Sequence, residues 1–240
     1  MGAAVLWGMV AAASLVIGAL FGVWRSWPEK LTGAVLAFGA GSLISAVSYD
    51  LVREGAMLDG GPGVAGGLAV GALAYFTADR MLERWGSRHR TGPSAGTGAG
   101  PALALGAFLD GIPEQAVLGI GLASGEGVSI ALLAAIFVSN LPEAIGSSAQ
   151  MRSNGRPASA ILRLWIAIAL VCAAATVGGY LVADVASSRL KAAIDGFAAG
   201  ALLVMLIDSM IPEAARKSGL VAGLFTTLGF ATAAFLSATG

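Results

Sequence analysis

Along the chain, apolar residues gather into long runs separated by short glycine-rich or charged breaks. The runs cover about Ala3–Val23, Gly33–Val52, Val64–Met81, Pro101–Ala123, Val128–Ala149, Ala158–Val182, Lys191–Ile211 and Leu220–Ala238. Each approaches the ~20 apolar residues with which a helix crosses the hydrocarbon core of a bilayer. The pattern predicts an all-α polytopic membrane protein of about eight transmembrane helices, folded as a single domain over residues 1–240. The longest break, ERWGSRHRTGPSAGTGAG between the third and fourth runs, is rich in Gly, Ser and Pro and predicts a mobile loop over residues 84–99. The first run lacks a positively charged start and is too long for a typical cleaved signal, so it reads as the first span.

Composition narrows the class. Hydrophobic residues make up 57% of the chain and charged ones 12%, whereas a soluble domain covers its surface with roughly a quarter charged residues. A mean hydropathy of +0.82 agrees, and the chain is not a soluble globule. The formal net charge is zero and no long basic run occurs, which argues against nucleic acid as a partner. The single cysteine, Cys172, lies in an apolar run and reads as a packing residue, without a disulfide framework or thiolate cluster.

Charge also sets a direction. With the N-terminus outside, alternate connections hold Arg25, Lys30, Arg80, Arg84, Arg88, Arg90, Arg152, Arg156, Arg163, Arg216 and Lys217, while the opposite side keeps Arg53, Arg189 and Lys191. The asymmetry predicts a multi-pass protein of the cell (inner) membrane, with the arginine-rich connections cytoplasmic and both termini outside.

The sequence also repeats itself. AFGAGSLISAVSYDLVREG from Ala37 aligns without gaps with GFAAGALLVMLIDSMIPEA from Gly196, pairing Phe38 with Phe197, Gly41 with Gly200, Leu43 with Leu202 and Glu54 with Glu213. Asp50 and Asp208 fall one place apart. The two spans run in opposite directions, so the expectation is an inverted repeat of the kind that builds transporters around a midplane site.

Acids inside apolar runs are costly and normally face a partner, a cavity or an ion path. Span four carries DGIPEQ, with Asp110 and Glu114 on one helix face. Span five carries SNLPEA, with Ser139 and Asn140 ahead of Glu143, and span seven carries DSMIPE, with Asp208 and Glu213 on either side of a proline. In each motif the proline removes the helix bond to the carbonyl four residues back, that of Leu109, Val138 or Asp208. A loosened carbonyl beside acids offers a cation the oxygen ligands it needs. Plainer readings compete at the margins: Glu213 reads equally as a helix-capping acid beside Arg216 and Lys217, and Asp50 and Glu54 as solvated rim residues or an entry site. Asp79 and Asp195 read as boundary charges and His89 as a solvated loop residue.

These motifs resemble those of the ZIP (Zrt/Irt-like) metal transporters, through nearly the whole chain. That family has eight spans, both termini outside and a metal site built from spans four and five. Its span-four signature, His-Asn-x-Pro-Glu-Gly, falls on Asp110, Gly111, Ile112, Pro113, Glu114 and Gln115, and its span-five signature on Ser139, Asn140, Leu141, Pro142, Glu143 and Ala144. Asp110 replaces the usual histidine, Gly111 its asparagine and Ser139 the first span-five ligand, while the two metal-bridging glutamates of the family fall on Glu114 and Glu143. The resemblance therefore implies a site of Asp110, Glu114, Ser139, Asn140, Glu143 and Asp208 that lacks imidazole. Oxygen donors move the expected ion from zinc toward manganese, iron(II) or magnesium, with cadmium a further candidate.

The implied activity is passage of a divalent metal ion into the cytoplasm, the ion being substrate and no cofactor being permanently bound. The ion would enter past Asp50, shed water onto the span-four and span-five ligands, and leave as one helix group rocks against the other. The surroundings are the lipid bilayer, and the resemblance implies a homodimer. An intramembrane enzyme would need Asp110 and Asp208 within a few ångströms of each other and a protease-type motif around them, which the sequence lacks, so the chain reads as no enzyme. The alternative is a metal sensor or assembly subunit on the same fold that moves no ion.

Overall fold

The structure is a computed structural model that describes residues 1–59, 61–88, 99–123, 127–184 and 186–239, with side chains at 1–58, 61–81, 111–123, 127–184 and 186–238. The described residues are helical apart from short connections, without a strand. In chain order the helices are α1 (Gly2–Trp24), α2 (Glu29–Ala46), α3 (Glu54–Asp59), α4 (Pro62–Arg88), α5 (Ala99–Ala123), α6 (Ile130–Ser153), α7 (Ala158–Asp184), α8 (Ser188–Met205), α9 (Ile211–Ser218) and α10 (Ala222–Thr239). A π-helical stretch, Val47–Arg53, joins α2 to α3, and another, Leu206–Met210, joins α8 to α9.

The boundaries follow from local chemistry. Pro28 stands at the N-cap of α2, and the hydroxyls of Ser129 and Ser187 accept from Leu132 N and Leu190 N to cap α6 and α8. Gly155 turns from α6 to α7 at φ 80°, a conformation that costs a residue with a Cβ. Within the loop expected over 84–99, residues 84–88 belong to α4 and Ala99 begins α5. Glu83, Arg84 and Arg88 are good helix formers, and no proline intervenes to stop them. His89 and the rest of that break, residues 89–98, lie outside the described residues.

Five described stretches are long and apolar enough to cross a membrane: Gly2–Trp24, Glu29–Leu58, Ile130–Ser153, Ala158–Asp184 and Ser188–Ala238. The last covers 51 residues and contains α8, α9 and α10. The molecule is thus a multi-pass helical membrane protein.

The helices form two groups. In the first, α1 packs on α6 and α7, and α5 on α7 and α6; in the second, α4 pairs with α8 and α2 with α10. The main joins between groups are α2 against α6 and, less extensively, α5 against α8. Small residues make both pairs of the second group. A Cβ at Gly200 of α8 would run into the Leu68 carbonyl of α4, and one at Gly41 of α2 into the Thr226 carbonyl of α10, so backbone lies on backbone as in small-residue membrane packing. Gly41 and Gly200 are equivalent in the sequence repeat, and so are Val47 and Leu206, where the two π-helical stretches begin.

Candidate metal path

Among the buried polar residues, Glu114 of α5 and Ser139 of α6 meet across the contact between these helices, with Asn140 next to Ser139 in the chain. Pro113 and Pro142 lie inside these helices, which continue through them. Glu114 is 1% exposed, Ser139 0% and Asn140 1%. The Ser139 hydroxyl lies 3.2 Å from Glu114 Oε1 and 3.0 Å from the Ile136 carbonyl oxygen, so its one proton is shared between two acceptors. Behind it, α2 closes in at Gly39, where a Cβ would stand 2.9 Å from Ser139 Cα. The Asn140 Nδ2 is buried without a hydrogen-bond partner among the described residues. Turning that amide over would put its carbonyl oxygen in the same place, a choice that the hydrogen-bond network decides. Glu143, half-buried, follows one turn later on α6.

Asp110 is on α5, one turn before Glu114, and its side chain lies outside the described residues. Asp208 is exposed on the π-helical stretch after α8, with no hydrogen bond or ion pair to a described residue. Among the described residues, no three acid, histidine or cysteine side chains gather closely enough to hold a metal. Cys172 is fully buried and packs on Gly111, as its apolar run suggests.

Two features lay beyond the sequence reading. Gln115 is fully buried beside Glu114 and accepts a 2.6 Å hydrogen bond from the Thr176 hydroxyl of α7. Its signal was a glutamine in an apolar run, which asks for a partner without saying where one is. The second lies at the N-terminal end of α6, where Asp50 accepts hydrogen bonds from Ser129 at 2.9 Å and Ser237 at 3.3 Å. These residues line a cavity of about 270 Å³ that also touches Glu54, Val117, Gly121 and Leu132. A smaller space of about 30 Å³ adjoins Asp50, Glu54, Lys191 and Asp195. Asp195, expected at a boundary, is only 6% exposed because Gly55 lets α3 close over it.

At the other end of α6 the acid is paired. Lys217 Nζ lies 2.5 Å from Glu213 Oε1 on the same helix, with Arg216 more loosely placed at 3.9 Å. Glu213 stands in the first turn of α9 and is paired with Lys217, without a side-chain cap hydrogen bond at that helix start. Polar groups thus occupy three levels along α6: an acidic cavity at Ser129, a buried seam at Ser139 and Asn140, and a lysine-bearing end.

No family model matches the chain. Over 218 residues it is 29% identical to a protein of Arabidopsis thaliana named as a candidate zinc transporter, a match that covers 89% of this chain and 35% of that protein. The chain therefore spans about a third of the relative's length.

Proposed function

We propose that the chain carries divalent metal ions across the membrane into the cytoplasm, through the seam between α5 and α6. The observation that carries this reading is the buried contact between Ser139 and Glu114, with Asn140 beside it. A carboxylate buried inside a bilayer-spanning bundle and bonded to a buried hydroxyl is costly, and such acids normally face a partner, a cavity or an ion path. The proposed ligands are Asp110, Glu114, Ser139, Asn140 and Glu143, with Asp208 a further oxygen donor on the second helix group. All offer oxygen, which suits zinc but equally manganese, iron(II) or magnesium. The name of the plant relative favours zinc.

About eight crossings in an inverted repeat complete the reading. The matched starts of the π-helical stretches at Val47 and Leu206, and the matched glycine contacts of Gly41 and Gly200, support the repeat. The two helix groups supply the parts that alternate access requires. The arginine-rich connections face the cytoplasm, which makes the Asp50 cavity the entrance and the Lys217 end the exit.

The test is uptake of zinc, manganese, iron(II), cadmium and magnesium into proteoliposomes. Wild-type flux that disappears in Glu143→Ala supports the reading, and flux indifferent to Glu143→Ala sinks it. Saturable binding with no flux of any metal would instead favour the sensor or assembly subunit.

A further inference from the structure

At the proposed exit, one side chain is placed where a departing cation would pass. Lys217 projects from α9, and its backbone is fixed by Gly33 of α2: a Cβ on Gly33 would stand 2.6 Å from Lys217 Cβ and 2.7 Å from Ser218 N. Pinned there, the side chain reaches α6, where its Nζ lies 3.3 Å from the position a Cβ on Gly146 would take. Gly146 is three residues after Glu143, so it shares a helix face with that acid one turn further along. The side chain of Lys217 is 12% exposed, against 70% for its neighbour Arg216. Lysine stems ordinarily carry their charge out to water. This one turns inward across three helices, and Glu213 holds its ammonium.

We infer that Lys217 is a tethered cation closing the end of the ion path between α2, α6 and α9, a gating residue that must swing aside before a metal ion can leave. This rests on the transport reading. An ammonium a helical turn from Glu143 repels a divalent cation electrostatically in a region poor in water, and it fills the gap that the missing side chain of Gly146 leaves. Glu213 sets the resting position of the ammonium. Lysine suits the task because its charge sits at the end of a flexible four-carbon stem. The gate opens when α9 and α6, which belong to different sides of the α2 contact, separate.

The test needs no flux. In the full chain with Cys172→Ser, a thiol introduced by Gly146→Cys is treated from the cytoplasmic side with a cationic and, separately, an anionic membrane-impermeant thiosulfonate. With Lys217 present the thiol is shielded. Adding Lys217→Ala should speed labelling by both reagents about tenfold, while Lys217→Arg should leave it near the parent rate. Unchanged rates in Lys217→Ala overturn the gate, and so does a gain with the cationic reagent matched by a loss with the anionic one, since that is a field effect without opening. If Gly146→Cys does not reach the membrane, the amine of Lys217 serves in the wild type. Acetylation by an impermeant reagent should be slower there than at exposed Lys30 and faster in Glu213→Gln; equal rates at Lys217 and Lys30 overturn the gate. A chain that moves no metal yet shows shielding loses the transport reading alone, and one that moves metal without shielding loses the gate alone.

Discussion

Asp50 accepts a 2.9 Å hydrogen bond from Ser129, the residue whose own hydroxyl oxygen caps α6. One hydroxyl thus ties the π-helical stretch of the second helix group to the start of α6 in the first. Removing it takes away both a cap and a bond to an acid. Ser129→Ala is expected to lower stability by about 1–2 kcal/mol, on the scale of a lost helix cap. Ser237→Ala, which removes only a 3.3 Å bond to the same acid, should cost less. Thermal unfolding in detergent compares the two.

The ligand set predicts a selectivity change. If the proposed all-oxygen set binds the ion, Asp110→His introduces an imidazole and should shift preference toward zinc over manganese and magnesium. Ser139→His should act in the same sense, at some cost in packing against Gly39. Competitive uptake from a mixture of the metals reads both.

The buried amide of Gln115 predicts a non-additive pair. Gln115→Leu alone strands the Thr176 hydroxyl, and Thr176→Val alone strands the glutamine, each costing ~0.6–2 kcal/mol as a hydrogen bond between membrane helices does. The double variant should cost less than the sum, because no buried polar group is then left without its partner. A double-mutant cycle on melting temperatures decides it.

Glycine positions divide sharply. Gly200→Val and Gly41→Val would each drive a side chain into the backbone of the facing helix, so neither variant should accumulate in membranes. Gly178→Ala and Gly66→Ala meet nothing within 4 Å and should behave as wild type. Expression followed by gel filtration separates the two classes.

The sequence tells these features apart unevenly. The all-helical, multi-pass class is legible because crossing a bilayer demands long apolar runs, and α1 begins and ends within a residue of its run. The pairing of Glu114 with Ser139 is half legible: the motifs name both residues, but that α5 faces α6 at these positions depends on packing across the chain. The reach of Lys217 to Gly146 is not legible at all, since a lysine after Pro-Glu-Ala-Ala-Arg reads as a solvated end. The burial of Asp195 escaped for the same reason, a charge near a run's edge being ordinarily wet. Their placement is set by glycines on other helices, Gly33 and Gly55, whose missing side chains carry no label of what they admit.

The glycine seams between α4 and α8 and between α2 and α10 have a thermal consequence. Contacts made by glycine and backbone freeze almost no rotamers, whereas a seam of leucines gives up about 0.5–1 kcal/mol of side-chain entropy per residue. Assembly of these pairs is therefore opposed by little disorder, and heating has little to regain by parting them. The groove between α5, α7 and α8 carries, among its small residues, Ile112, Ile120, Val182, Ile194 and Phe197, whose rotamers are there to recover. As temperature rises, that groove should loosen first, with each helix pair still intact.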